Sequence, residues 1–225
     1  MKVTDLRAMN RSEERIPRLR TRGRANRKKL LRSAERLLAT NRGASLRFSD
    51  VFESAGVSRG SAYRIYIGID DLMQDLASEW ITNFVAYLGE LQPEHAPRDW
   101  QQFSDFIVER ATGYWTQTAD TLRVMPRVRN DAPASYKTSL RELSDCIAEL
   151  FARYYSMPEV PNWTNKLAFY VQLADAVFSD SVRIDNRITD KRMVEAQVLC
   201  RTYLSFHLPD WIPSRLDPSG PTSLY

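Results

Sequence analysis

Two cysteines and two histidines in 225 residues leave little material for a disulfide framework or a metal centre. Cys146 and Cys200 stand far apart with no metal-ligand spacing, and both fall in helical patterns, where a small buried apolar role is expected. His95 lies beside prolines in a predicted loop and His207 near the end of the last predicted helix. Neither has a Ser, Cys or carboxylate partner at a recognisable spacing, which argues against an enzyme. The eight glycines form no phosphate-cradling loop, so no cofactor or metal is expected. Long apolar runs are missing too. The longest apolar-rich stretch, "LAFYVQLADAVF", is interrupted by Gln172 and Asp175 and is too short to span a bilayer. The first thirty residues hold no apolar run of the signal-peptide kind. The expectation is a cytoplasmic chain without a membrane partner.

Charge, by contrast, is abundant and unevenly placed. The net charge of +4 combines a basic first part with an acidic remainder. Residues 1–67 carry 17 Lys and Arg against 6 Asp and Glu, whereas residues 68–225 carry 15 against 22. Such asymmetry points to a polyanion partner for the first part alone.

No segment of useful length alternates as a strand would, and there is no internal repeat, so the reading is all-α. Segment 11–29 has nine basic residues, Pro17 and Gly23, and too few apolar side chains to offset its ordering entropy. Residues 1–23 are therefore expected to form a flexible basic arm. From Lys28 onward Leu30, Leu31, Ala34, Leu37 and Leu38 make one apolar helix face, stopped near Gly43. Ser49 is the expected cap of a second, short helix with Asp50 in its first turn. Gly56 turns the chain, and Ser58 caps a third helix over 59–66. A long helix follows Gly68, with Asp70 as the expected cap, and runs to Pro93. Ten of the eleven prolines lie from Pro93 onward and divide the rest into helices at about 98–117, 119–125, 133–156, 162–186 and 190–207. The domain reading is an arm at 1–23, a three-helix unit at 24–68, a helical body at 69–208 and an extended or disordered tail at 209–225.

Two short helices joined by a Gly-containing turn, the second displaying polar side chains, are a helix-turn-helix arrangement. Val51, Ala55, Val57 and Ala62 supply the apolar back, while Arg59, Ser61, Tyr63 and Arg64 supply a front suited to a DNA groove. Arg22 and Arg24, where the arm meets the three-helix unit, are further candidates for phosphate or minor-groove contact.

The stretch "LLRSAERLLATNRGASLRFSDVFESAGVSRGSAYRIYIGIDDLM", residues 30–73, resembles the TetR family of bacterial transcriptional regulators. The resemblance implies a homodimer with an N-terminal DNA-binding domain on a double-stranded operator and a helical body for ligand binding and dimerisation. It implies that a small-molecule effector in the body moves the fourth helix and releases the DNA, repression being the commoner behaviour. Carried over, Arg59 and Gly60 would meet base edges and Tyr63 a phosphate or thymine methyl, while Ser49, Ser61 and Arg64 would hold phosphates. Three departures stand out: Ile69 where Lys is common, Phe52 where Ala is usual, and Tyr66 where Phe is common. Without that Lys one phosphate goes ungripped, which lowers affinity without altering sequence preference.

In the body, Phe103, Ile107 and Tyr114 share a helix face, and Phe84, Leu88, Met125 and Tyr170 lie on facing segments. These seven are the candidate wall of a mostly apolar effector pocket, with Asp105, Arg110 and Gln172 as candidate polar anchors. The last two helices spread apolar residues over more than one face, as burial inward and against a second subunit requires. The alternative reading is a ligand-responsive interaction protein of the same fold that has lost operator binding, motivated by Ile69 and Phe52.

Overall fold

The apolar stripe of Leu30, Leu31 and Ala34 is buried in the helix it predicts, but that helix, α1, spans Thr4–Thr40. The computed structural model describes residues 4–40, 46–90, 97–116 and 134–216, with the backbone alone at 4–20 and 134–136. Residues 4–23, expected as a flexible arm, are helical through Pro17 and Gly23. Arg, Lys, Glu, Leu and Met are good helix formers, and a helix already nucleated gains one hydrogen bond per residue as it extends.

Among the described residues seven further helices follow: α2 (Phe48–Ser54), α3 (Arg59–Ala62), α4 (Ile69–Gly89), α5 (Trp100–Thr116), α6 (Ala134–Tyr154), α7 (Trp163–Asp185) and α8 (Asp190–Ser205). The helix expected at 119–125 lies outside the described residues. Among the described residues there is no strand, only an isolated bridge between Tyr155 and Ser214. The protein is all-α.

The chain divides into two compact units, Met1–Leu76 and Ala77–Tyr225, so the division falls inside α4 rather than at Gly68. In the first unit α1 packs on α2 and α3 through Leu30, Leu31, Ala34, Val51 and Ala62. The Ser33 hydroxyl donates to the Val51 carbonyl at 3.1 Å, a buried bond that ties α1 to α2.

The second unit is organised around aromatic packing. The Phe103 ring meets Phe151, Tyr154 and Tyr155 at centroid distances of 5.1, 5.2 and 5.6 Å. Asn186 closes α7 in the left-handed conformation (φ 59°), and Thr189 caps α8 by accepting from the Arg192 N–H. The start of the tail is extended and tied down. Trp100 Nε1 donates to the Pro209 carbonyl at 2.8 Å, Ser156 N to Pro213 O at 2.9 Å, and Arg215 N to Tyr154 O at 2.8 Å. Ile212 is buried beside these bonds, so apolar burial and backbone pairing together hold the start of a segment expected as extended or disordered. Cys200 is buried and Cys146 half-buried, with burial pushing the Cys200 thiol up to about 12.

Candidate nucleic-acid interface and apolar cavity

The turn between α2 and α3 follows from its residues. Gly56 holds φ +62°, a conformation that L side chains rarely adopt. Val57 N returns to Phe52 O at 2.9 Å, and Ser58, in extended backbone, caps α3 by accepting from Ser61 N. Helix α3 has four residues and continues as turns in which Ile65 N and Tyr66 N both donate to the Ala62 carbonyl. It is shorter than the expected 59–66.

Arg59, Gly60, Tyr63 and Arg64 are all exposed along this segment. A Cβ on Gly60 would meet nothing within 4 Å, so its backbone is open to a close partner. The Arg64 Nε donates to the Gly60 carbonyl at 3.1 Å, which folds that guanidinium against its own helix turn. Ser61 is half-buried, and its hydroxyl accepts from Ser58 Oγ at 2.9 Å as part of the cap. Ser49 does not cap α2. The helix starts at Phe48, whose ring is buried, and Ser49 Oγ donates to Asp50 Oδ1 at 3.2 Å. The N-cap is Arg47, whose carbonyl accepts from Asp50 N and whose guanidinium pairs with the Asp50 carboxylate. That hydrogen bond is the largest cause holding the Asp50 carboxyl below its ordinary range. Arg22 and Arg24 are exposed on α1.

Two of the departures have structural roles. Phe52 stands in an aromatic cluster with Phe48 (5.6 Å, edge-on) and Tyr63 (6.3 Å), and Phe48 meets Tyr63 edge-on at 5.1 Å. The Tyr66 ring is buried, and its hydroxyl donates to Asp75 Oδ2 at 2.5 Å. Burial first, and the Asp75 carboxylate second, push that phenol far above its ordinary range. The same carboxylate accepts from Arg27 Nε at 2.7 Å and Nη2 at 2.5 Å. Asp75 thus joins α1, the end of the α3 turn and α4 within the first unit. Sequence reasoning missed it; the signal available was an acidic residue at an otherwise ordinary helical position. Asp70 is likewise not the cap of α4. Asp71 accepts from the Ile67 N–H at 3.0 Å, and Asp70 is exposed in the first turn. Ile69 begins the helix, half-buried.

The second unit contains a small apolar cavity, partly open to solvent. Its wall is formed by Ile81 and Phe84 of α4, Ile107, Val108, Ala111 and Trp115 of α5, Leu140, Leu143 and Ile147 of α6, and Tyr170, Val171, Ala174, Asp175 and Phe178 of α7. Of the seven wall candidates, Phe84, Ile107 and Tyr170 line it. Leu88 and Phe103 are core residues away from it, because Phe103 is spent on Phe151 and the two tyrosines. Tyr114 packs on Phe84 and Tyr87 outside the wall, and Met125 lies outside the described residues. None of the expected anchors lines it. Asp105 pairs with Arg201 at 2.5 Å, Arg110 lies over the Phe106 ring, and Gln172 is exposed. The carboxylate in the wall is Asp175, and the Tyr170 hydroxyl donates to the Ser104 carbonyl at 3.0 Å.

Among the described residues no three His, Cys, Asp or Glu side chains are grouped to hold a metal, and no helix is long and apolar enough to cross a membrane. His207 meets the Tyr203 ring edge-on at 5.0 Å, and burial followed by the Lys166 charge lowers its pKa.

No family model and no curated protein matches the sequence. Solved structures do match. A TetR-family transcriptional regulator from Streptomyces coelicolor superposes with a TM-score of 0.63 at 18% identity, over 81% of this chain and 99% of that one. A TetR transcriptional regulator from Rhodococcus sp. RHA1 gives 0.64 at 17% identity, over 80% and 96%. The fatty acid degradation regulator FadR from Bacillus halodurans gives 0.55 at 14% identity, over 79% and 94%. The chain has the fold of the TetR-family transcriptional regulators.

Proposed function

We propose that this chain is a ligand-responsive, sequence-specific DNA-binding transcriptional regulator. In this reading it acts as a cytoplasmic homodimer, a repressor released from its operator by a small, mostly apolar effector. The observation that carries the reading is the capped α3 segment, which displays Arg59, Gly60, Tyr63 and Arg64 to solvent on a unit with a large excess of basic residues. Long donors and an open glycine backbone on a short rigid helix suit base-edge and phosphate contact in a major groove.

Support for a dimer comes from α7 and α8, which leave Phe169, Ile184, Val194, Val198 and Leu199 exposed, together with Phe206 at the C-cap of α8. Exposed apolar residues on adjacent helices are what a self-complementary two-fold interface needs. Support for an effector comes from the apolar cavity, whose wall includes two α4 residues. A ligand that favours one pose of α4 would oppose DNA by linkage, with a coupling of about 1–3 kcal/mol. The test is affinity for a duplex carrying the chain's own upstream region against a scrambled duplex, for wild type and Arg59→Ala. Tight, selective binding that disappears in the variant supports the regulator. Equal affinity for both duplexes would favour an interaction protein of this fold, the reading that Ile69 and Phe52 motivate.

A further inference from the structure

The side chain at position 52 is where this chain departs from the usual alanine, and it builds something. Phe52 and Phe48 of α2, themselves in contact at 5.6 Å, both pack against the Tyr63 ring, at 6.3 and 5.1 Å. Tyr63 remains 49% exposed, so only part of the ring is spent on that packing. Its backbone is fixed as the C-cap of α3, at φ −68° and ψ −12°. One helical turn earlier, the Arg59 guanidinium carbon lies over the same ring, 5.6 Å from its centroid. Residues four apart share a helix side, and this separation is within cation–π range.

We infer that Tyr63 is a positioning residue for Arg59: the Phe48–Phe52–Tyr63 cluster is a platform that aims the guanidinium at a base edge. The inference rests on the DNA-binding reading. An exposed arginine ordinarily samples many rotamers and loses that freedom on binding. A guanidinium already resting on a fixed ring loses less, and the ring consumes none of its five N–H donors. Those donors stay available for the paired acceptors of a guanine in the major groove. Tyr63 would then contribute through its ring, and its hydroxyl would matter little. A direct bond from the hydroxyl to a phosphate requires the opposite.

The test compares Tyr63→Phe, Tyr63→Ala, Arg59→Ala and the Arg59→Ala/Tyr63→Ala double variant on the genomic duplex that the full-length protein retains most strongly. Tyr63→Phe should bind within about twofold of wild type. Tyr63→Ala should lose roughly tenfold and relax preference at the same base position as Arg59→Ala, and the double variant should be no worse than Arg59→Ala alone. Tyr63→Phe as damaging as Tyr63→Ala, or additive losses in the double variant, overturns the inference. NMR of the free protein decides the platform without DNA. The Arg59 side-chain methylenes should be shifted upfield by the ring, keep that shift in Tyr63→Phe, lose it in Tyr63→Ala and lose part of it in Phe52→Leu. Unshifted Arg59 resonances in wild type would also overturn it. A wild type that fails to prefer any duplex sinks the regulator reading, while the NMR outcome still judges the platform.

Discussion

Replacing Asp75 with Ala should loosen the first unit by about 2 kcal/mol. The carboxylate accepts three hydrogen bonds, two from Arg27 and one from Tyr66. The Arg27 pair has side-chain exposures of 45% and 26%, so solvent screens it and its share is about 0.2–1 kcal/mol. The Tyr66 bond counts for more, because the residue is 5% exposed and its hydroxyl would lose this charged acceptor. Leaving such a donor without a partner costs about 1–3 kcal/mol. The Asn variant keeps one acceptor oxygen for the Tyr66 hydroxyl and loses the charge and the second acceptor, so it should cost about half as much. For a chain of this size, 2 kcal/mol lowers Tm by about 4–8 °C. The assay is thermal unfolding by circular dichroism, with hydrogen exchange by mass spectrometry to localise the change. Exchange should rise in peptides covering α1, the α3 turn and the first turns of α4. A Tm within about 1 °C of wild type and unchanged exchange in those peptides would refute the reasoning.

Deleting residues 1–22 should weaken DNA binding and lower the log–log salt slope by about one unit for each phosphate the shortened chain no longer neutralises; an unchanged slope would leave the basic extension no part in binding. Phe103→Ala should cost about 3–5 kcal/mol of stability, because that ring is core, whereas Ala174→Phe should fill the cavity and abolish effector response while DNA binding by the free protein persists. Unfolding curves and effector titrations separate the two. In the native protein at pH 8, alkylation followed by mass spectrometry should label Cys146 well before Cys200, since burial raises both thiols and Cys200 more. The raised Cys200 pKa also carries a sign: its contribution to stability is complete below pH 9 and is lost between about pH 9 and 12, as the unfolded thiol ionises first.

The local chemistry of the helix-turn-helix was legible because it is written in neighbours. Gly56 marks its turn by conformational freedom, Ser58 caps by reaching three residues ahead, and Val51 and Ala62 alternate with exposed donors. Helix starts were less legible where two polar candidates stood side by side. Burial of Phe48 moves the start of α2 ahead of Ser49, and Asp71 rather than Asp70 reaches the Ile67 N–H. Long-range facts were legible only in part. Which aromatic of α5 lines a void depends on what α6 and α7 bring to it, so Phe103 and Tyr114 are spent on neighbouring rings while Trp115 and Ile107 face the cavity. Phe52 and Tyr66 read only as departures from a pattern. Their partners, Tyr63 and Asp75, became visible only in three dimensions.

The central claim is that α3 reads DNA sequence. The most direct measurement is recovery and sequencing of genomic fragments retained by the full-length protein at physiological salt, followed by affinity measurement on the enriched site. The account predicts a near-palindromic site with two half-sites related by the symmetry of a homodimer, bound at least about a thousandfold more tightly than scrambled duplex. Fragments without a shared motif, or a site bound no better than its scrambled form, would contradict it.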